Sequence, residues 1–291
     1  MLITVFTPTY NRAHLLNELY QSLINQINSP TFEWLVIDDG STDNTEQLIS
    51  KFIAEERMKI RYYKQNNGGK HRAINKGAKL AHGKFFFIVD SDDLLTEDAL
   101  EFVQDKYSLI LNKNDCAGFA GLKILKNRQN IVTNMKEDSY YCSTVDFRYK
   151  YCIKGDIAEI YLTQILKKFP FPNFDGEFFC PESLVWNRIA QKYNMYFFKK
   201  PIYICEYLDG GLSSLSLQNR IKSPSYARVI YSEFLVLNAP FFEKIKSCIN
   251  YWRFTLHAGF EQKTEIKTLP IISLIVFPIS FLLYLKDKVN V

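Results

Sequence analysis

The residues best suited to chemistry in this chain form a compact acidic cluster. Asp90, Asp92 and Asp93 directly follow an apolar run at residues 85–89 in the stretch KFFFIVDSDD. Unpaired carboxylates this close together repel one another and cost free energy when they are desolvated, so we expect a cation beside them. A metal ion, a cluster of Lys and Arg side chains, or open water could fill that role.

Two further polar clusters also follow short apolar runs. They are Thr9, Tyr10 and Arg12 in PTYNR, and Asp38 and Asp39 in DDGS. These clusters combine hydroxyl, aromatic, basic and carboxylate groups, which suits recognition of a polar ligand better than packing of a core.

The elements between these clusters predict an open parallel sheet. Apolar runs at 2–6, 32–37, 60–64 and 85–89 are typical of strands, and segments with helical apolar spacing separate them. Such alternation builds a mostly parallel sheet with helices on its faces, an α/β fold. Ligands bind these sheets beyond the carboxyl ends of the strands, so PTYNR, DDGS and DSDD are predicted to share one edge.

After about residue 115 the sequence becomes irregular and rich in aromatic residues, which predicts an α+β second half. Candidate elements are a strand at 118–125, a helix at 182–193, paired strands around 195–207, and helices at 225–237 and 242–258. We predict one domain over 1–240, with halves 1–115 and 116–240, and a C-terminal helical region over 241–291.

The C-terminal region contains an uncharged hydrophobic segment at 268–285, flanked by Lys263, Lys267, Lys286 and Lys288. Its length is near the lower limit for crossing about 30 Å of hydrocarbon. Pro270 and Pro278 would also interrupt a straight helix. We therefore predict an interfacial or re-entrant membrane anchor, with a buried core segment as the alternative.

Composition bounds the remaining possibilities. The formal charge of +5, from 36 basic and 31 acidic residues, is too small to indicate nucleic acid, but it is compatible with an anionic substrate or an acidic membrane surface. Six cysteines without a CxxC pair and four scattered histidines lack zinc-ligand spacing, which favours free thiols in a reducing compartment. The start MLITVF has no preceding basic region, so we expect no secretory signal and a cytosolic location.

Two other interpretations of DSDD were tested against its neighbours. A calcium-binding EF-hand loop requires an acid or Asn where Leu94 stands and Gly where Leu95 stands, so it is excluded. A phosphatase of the haloacid dehalogenase type would use Asp90 as its nucleophile. It stays an alternative, although its pattern expects Thr or Val at position 94 and explains neither PTYNR nor DDGS.

The motifs PTYNR, EWLVIDDGSTDNT and NNGGKHRAINKGAKLAHGKFFFIVDSDD, in this order, resemble the nucleotide-binding half of family 2 glycosyltransferases. The likeness covers residues 1–120 and implies the GT-A fold. It also implies an inverting transfer of a sugar from a UDP-sugar to an acceptor hydroxyl. For a protein at the inner face of the cell membrane, the implied acceptor is a lipid-linked saccharide of bacterial surface polysaccharide. An inert nucleotide-sugar-binding protein is a second alternative.

The resemblance also implies roles for individual residues. The nucleotide-sugar is expected to contact Thr9, Tyr10, Arg12, Asp38, Asp39, Lys70, Arg72, Asp90 and Ser91, with His71 as a further candidate near the diphosphate. Within this set, Asp39 would bind the uracil. Asp92, with Asp90, would hold Mg²⁺ or Mn²⁺, while Asp93 would cap the turn or support the ligands.

The catalytic base is the least regular part of the resemblance. The family places an acidic residue, often in an ED pair, about ninety residues after the DxD motif and near the start of a helix. Glu182 in FCPESL stands at that distance, but Pro181 precedes it instead of an acid. Glu182 is the predicted base, with Glu177, Asp175 and Asp156 as alternatives and helix capping as its structural role.

Overall fold

The computed structural model describes residues 1–111, 113–206, 215–259 and 270–290. The chain falls into two compact units. The first contains Met1–Pro170 and Lys192–Glu206, and the second contains Phe171–Gln191 and Tyr207–Val291. The predicted boundary between residues 240 and 241 lies inside the second unit, and the division into a transferase domain and a C-terminal region stays a prediction.

The described part of the first unit is built on a nine-stranded sheet. Its strands are β1 (Ile3–Thr9), β2 (Phe32–Asp38), β3 (Ile60–Lys64), β4 (Phe85–Ile88), β5 (Leu94–Leu95), β6 (Cys116–Leu125), β7 (Ser139–Cys142), β8 (Ile157–Leu162) and β9 (Asn194–Cys205). The strand order is β3-β2-β1-β4-β8-β6-β9-β5, and β7 pairs with β9.

The first four strands in sequence pair in parallel, with β1 between β2 and β4. Every residue of β1 is buried, as expected for a strand covered by helices on both faces. These strands confirm the predicted α/β fold. Beyond β4 the sheet is mixed, because β8 runs antiparallel to both β4 and β6, whereas β6 and β9 are parallel.

Paired strands were expected around residues 195–207. Over the described residues of this range, the chain forms one long strand, β9. β9 has β6 on one side and β7 on the other, so its backbone groups find partners without a hairpin of its own. Antiparallel β5 also joins β9, with Leu95 opposite Tyr203. This pairing brings the second half of the sequence against the turn that contains the acidic cluster.

Helices cover the sheet of the first unit: α1 (Ala13–Ile24), α2 (Thr45–Ala54), α3 (Lys70–Leu80), α4 (Ala99–Lys106), α5 (Thr144–Tyr149) and α6 (Thr163–Leu166). Beneath α1 and α2, the rings of Tyr20 and Phe52 stack with centroids 4.0 Å apart. A Cβ at Gly77 would lie 2.2 Å from the Phe6 ring, so only glycine allows α3 to approach β1 this closely.

The described part of the second unit is helical: α7 (Ser183–Ala190), α8 (Ser216–Lys222), α9 (Pro224–Phe234), α10 (Phe241–Ala258) and α11 (Pro270–Asn290). One side of α11 packs on α10, where Cys248 and Val276 are buried together. Asp287 of α11 also pairs with Arg253 and His257 of α10. By length and hydropathy, none of the helices in the described ranges qualifies as a membrane span.

Candidate functional site

The acidic turn is held at the carboxyl end of β4 by backbone and side-chain hydrogen bonds. The Val89 N–H donates to Phe6 O at 2.8 Å, which continues the ladder to the end of the apolar run. The Asp93 N–H donates to Asp90 O at 3.1 Å and closes the turn. The chain then enters β5 at Leu94, so the turn is fastened at both ends by strands of the same sheet.

Tyr203 of β9 is the central support of this turn. Its hydroxyl accepts a hydrogen bond from the Asp90 N–H at 3.0 Å and donates one to Asp93 Oδ2 at 2.7 Å. Tyr203 is fully buried and Asp93 nearly so. Burial, together with the charge of Asp90, raises the pKa of Asp93 to about 7. Tyr203 stands 110 positions after Asp93, and no sequence motif points to this contact.

Basic side chains from three separate elements accompany the carboxylates. Lys70 Nζ lies 2.6 and 2.7 Å from the two carboxylate oxygens of Asp90, and Arg12 Nη1 lies 3.8 Å from Asp92 Oδ2. Lys123 of β6 has its Nζ 4.2 Å from the centre of the Tyr203 ring. Burial opposes ionisation of Asp90, but the charges of Lys70, Lys123 and Arg12 hold its pKa below the ordinary value. Protein cations thus compensate part of the acidic cluster.

The two acids of DDGS hold loops in place. Asp38 is completely buried, and its oxygens accept hydrogen bonds from the Ser41 N–H at 2.7 Å and the Tyr62 hydroxyl at 2.6 Å. Asp39 lies at the start of the next loop and binds the glycine turn that precedes α3. It accepts from Gln65 Nε2 at 2.7 Å, Gly68 N at 3.0 Å and Gly69 N at 2.7 Å.

The PTYNR loop is tied to the DDGS loop. The Asp39 N–H donates to Thr9 O at 2.8 Å, and the Asn11 N–H donates to Ser41 Oγ at 2.9 Å. Asn11 adopts a left-handed backbone with φ of 51°, which turns the chain sharply after Tyr10. As a result the Tyr10 ring is 48% exposed, while Thr9 is buried and its hydroxyl has no hydrogen-bond partner among the described residues.

The remaining residues of the predicted nucleotide site lie between these loops. Lys70 and Arg72 are in the first turn of α3, and Arg72 Nη1 donates to Gly68 O. Between them, His71 is buried, and burial together with the charge of Arg72 lowers its pKa to about 4. Ser91 is buried within the acidic turn. Contacts among the three loops and α3 therefore bring the predicted nucleotide residues to one edge of the first unit.

The candidate bases fall in different parts of the chain. Glu177 belongs to the second unit and is buried, and its carboxylate accepts from Ser225 N at 2.9 Å and Tyr226 N at 3.2 Å at the start of α9. Glu182, also in the second unit, immediately precedes α7. Asp156 precedes β8 in the first unit. The assignment of the base to Glu182 stays a prediction.

Among the described residues, the acidic turn offers a divalent metal the carboxylates of Asp90 and Asp92, so the other ligands would come from outside this turn. In the described ranges, no group of three or more His, Cys, Asp and Glu side chains is arranged to hold a metal ion. Asp92 keeps 24% of its side chain exposed, and its contact with Arg12 is long at 3.8 Å. Two carboxylates can hold Mg²⁺ or Mn²⁺ when phosphate oxygens supply the other ligands, so the donor set suits a metal that binds with a diphosphate.

The chain is similar in sequence to known glycosyltransferases. The model of the family described as Glycosyl transferase family 2 matches residues 4–143. The poly(ribitol-phosphate) β-N-acetylglucosaminyltransferase TarS of Staphylococcus aureus is 30% identical over 189 residues, which cover 63% of this chain and 30% of that protein. The glycosyltransferase GlyG of Streptococcus pneumoniae is 34% identical over 100 residues, 34% of this chain and 33% of GlyG. The matches thus span about a third of the length of these relatives.

Solved structures show the same fold. Residues 1–349 of S. aureus TarS in complex with UDP-GlcNAc align with a TM-score of 0.64 and 24% identity, over 88% of this chain and 73% of that one. A mannosyltransferase from Pyrobaculum calidifontis in complex with GDP-Man and Mn²⁺ aligns with a TM-score of 0.56 and 18% identity, over 97% of this chain and 80% of that one. The predicted GT-A fold is confirmed, and the resemblance of the sequence to family 2 glycosyltransferases is confirmed over residues 4–143.

Proposed function

We propose that this protein is an inverting glycosyltransferase that moves a sugar from a UDP-sugar to an acceptor hydroxyl. The proposal rests on three connected loops at the carboxyl edge of the sheet, which is the side on which β1, β2 and β4 end. There the Asp90 turn contacts Lys70 and Arg12, and the PTYNR loop is bonded to the DDGS loop. TarS has been solved with UDP-GlcNAc, which makes UDP-GlcNAc the first donor to test.

The geometry suits recognition of the nucleoside. The exposed Tyr10 ring offers a flat surface for the uracil. An ionised carboxylate has about four acceptor sites, and three hydrogen bonds to the 65–69 loop leave Asp39 one acceptor position for the uracil N3–H. The buried Thr9 hydroxyl lacks a partner among the described residues and could bond to the nucleoside.

The diphosphate would bind between α3 and the acidic turn. Lys70 is the cation closest to that turn and would exchange its contact with Asp90 for a phosphate oxygen, and Arg12 would do the same from Asp92. Asp92, with Asp90, would hold Mg²⁺ or Mn²⁺. When bound there, the metal acts as a Lewis acid that stabilises the charge on the departing UDP.

We assign deprotonation of the acceptor hydroxyl to Glu182. Its main competitor, Glu177, accepts hydrogen bonds from backbone N–H groups at the start of α9. These bonds give Glu177 a structural role, because they satisfy backbone N–H groups that have no partner inside the first turn of a helix. Glu182 is therefore the stronger candidate of the two.

Release of UDP is the direct test of the proposed transfer. We expect the full chain to release UDP from at least one member of a panel of UDP-sugars when a saccharide acceptor is present, and EDTA to abolish the release. A panel that yields UDP in no case would contradict the proposal. Activity that EDTA leaves unchanged would contradict the metal role.

The two alternatives give different results in simple assays. A phosphatase using Asp90 would hydrolyse a phosphoester with Mg²⁺, and UDP would not change its melting temperature. An inert binding protein would be stabilised by UDP-sugars but would release no UDP. Thermal-shift measurements with nucleotides, combined with the release assay, separate all three functions.

The acceptor is proposed to be a lipid-linked saccharide of bacterial surface polysaccharide, bound at the cytosolic face of the membrane. The support is the outer face of α11, where Ile271, Leu274 and Leu282 are 75%, 80% and 66% exposed. An apolar helix face of this kind, followed by the exposed Lys286 and Lys288, suits an anionic membrane interface.

Sedimentation with phosphatidylglycerol vesicles tests the membrane proposal. We expect the full chain to sediment with the vesicles and the Leu274→Glu/Leu282→Glu variant to remain in solution. Ile53→Glu, at an exposed apolar position on α2, serves as the control and should sediment like the wild type. Equal sedimentation of the α11 variant and the wild type would contradict the proposal.

A further inference from the structure

A cavity of about 330 Å³ lies at the amino edge of the sheet, which is the side on which β4 and β6 begin. It is away from the acidic turn, which follows the other end of β4. Lys84 precedes β4, Lys113 precedes β6, and Lys168 follows α6. Because β8 runs antiparallel to β4, with Leu162 opposite Phe85, the chain returns to this edge as it enters α6. Three lysines distant in sequence therefore line one cavity.

This cavity is separate from the proposed nucleotide site. Lys84 and Asp90 stand at opposite ends of β4, and six residues at about 3.3 Å each place them about 20 Å apart. A single sugar nucleotide bound at the acidic turn would therefore leave the cavity free. Its ligand would be a second molecule.

The charged side chains that line the cavity are all basic. None of the described residues that line it is Asp or Glu. Asp115 lies near Lys113 but accepts hydrogen bonds from the Tyr141 hydroxyl at 2.8 Å and Asn194 Nδ2 at 3.2 Å. Like charges around a small volume repel one another, and an anion with more than one negative charge would relieve that repulsion.

The uncharged lining adds groups that suit a hydroxylated ligand. Asn114 and Gln164 carry amides that can both donate to and accept from hydroxyls. Tyr107 and Tyr193 contribute aromatic rings, and Lys84 is placed by its contacts with Tyr107, donating to the hydroxyl with Nζ 4.5 Å from the ring centre. The volume is at the low end of the range of about 300–1,000 Å³ typical of small-molecule pockets, which fits one monosaccharide-sized molecule.

We propose that this cavity binds a small phosphomonoester with a hydroxylated body, of the size of a hexose phosphate. The lysines bind the phosphate as point charges, and the amides and tyrosines contact the body. This proposal does not depend on the transfer reaction, since it concerns a separate edge of the sheet.

Isothermal titration of glucose 6-phosphate into the full chain tests the proposal at low ionic strength, where surface charges are least screened. Saturating UDP is present to occupy the proposed donor site. We expect one saturable site in the wild type. The Lys113→Gln/Lys168→Gln variant should raise the Kd about tenfold or more. Lys51→Gln, at an exposed position on α2, is the matched control and should leave the Kd within about twofold.

Both substituted lysines are exposed, and the Lys113 Nζ also lies 4.1 Å from the centre of the Tyr141 ring, so the double variant should melt only slightly below the wild type. Absence of saturable binding by the wild type, or an unchanged Kd in the double variant, would overturn the proposal. An equal loss in Lys51→Gln would do so too, because it would show a diffuse charge effect. Glucose, without the phosphate, should not bind, and inorganic phosphate should bind more weakly than glucose 6-phosphate. Failure of either expectation would overturn the assigned ligand class.

Discussion

The carboxyl edge and the amino edge of the sheet differ in how their charged side chains are compensated. At the carboxyl edge, Asp90 is paired with Lys70, and Asp93 is bonded to the Tyr203 hydroxyl. At the amino edge, Lys84, Lys113 and Lys168 line a cavity that has no acidic residue in its described lining. Largely buried carboxylates must be compensated for the chain to fold, whereas exposed lysines are stabilised by water. Substitutions at the carboxyl edge should therefore change stability and function together, and substitutions of the amino-edge lysines should change ligand binding alone.

The largest effect is expected from a residue of the second unit. Glu182→Gln should lower turnover by about 10²- to 10⁴-fold, because it removes the proposed general base. The Kd for UDP should stay near the wild-type value, as measured by titration calorimetry. Glu177→Gln is the comparison: it weakens the bonds at the start of α9, so it should reduce thermal stability below that of the wild type. A large loss of UDP affinity in Glu182→Gln would contradict the assignment of the general base to Glu182.

Asp92→Asn should have the next largest effect and sharpens the contrast between the edges. Loss of the carboxylate proposed to hold the metal should lower turnover by about 10²-fold or more. It should also weaken UDP binding in the presence of Mg²⁺ or Mn²⁺. The amino-edge variant Lys168→Gln should leave both quantities unchanged in the same assays. Equal losses of turnover and UDP affinity in Asp92→Asn and Lys168→Gln would contradict the proposed difference between the two edges.

Tyr203→Phe tests the support of the acidic turn through the free energy of unfolding. The variant leaves the Asp90 N–H and the Asp93 carboxylate without the hydroxyl that both contact, which should cost about 1–3 kcal/mol. Tyr107→Phe, at the amino edge, removes a hydroxyl that contacts only the exposed Lys84 among the described residues, and it should cost about 1 kcal/mol or less. Chemical denaturation measures both values. Equal costs for the two variants would contradict a special role of the Tyr203 hydroxyl in stabilising the acidic turn.

The smallest expected effect is a difference in pH dependence between two aspartates. The pKa of Asp93 is raised to about 7, so the folded state binds the extra proton between about pH 4 and 7. The contribution of Asp93 to stability is therefore greatest at low pH and decreases as the pH rises through this range. Asp115 at the amino edge has a lowered pKa, caused first by its hydrogen bond from Tyr141. Its contribution is present above the unfolded pKa and is lost as the pH falls.

Denaturation of metal-free protein across this pH range measures these slopes. Asp93→Asn should make the free energy of unfolding fall less steeply than in the wild type between pH 4 and 7. Asp115→Asn should change the profile only at the acidic end. A steeper fall in Asp93→Asn would contradict the raised pKa.

The positions of the residues predicted to bind the nucleotide could be inferred from the sequence, because they depend on local pattern and strand direction. The runs at 2–6, 32–37 and 85–89 are apolar enough to be buried on both faces, and the segments between them have helical spacing. Parallel strands end at one edge, so the clusters after them had to meet there. The supports Tyr203 and Lys123 were not predictable, since their sequence neighbourhoods resemble ordinary strand residues.

The sequence by itself determined the α/β order of the first half and the identity of the polar clusters. Both follow from hydrophobic periodicity and chain direction, which act between neighbours in sequence. Only the tertiary structure decided which cations meet which acids, that β8 inserts between β4 and β6, and that Tyr203 supports the acidic turn. It also decided that three lysines converge at the other edge. These arrangements depend on pairing between distant segments, whose free energy comes from packing that no local pattern specifies.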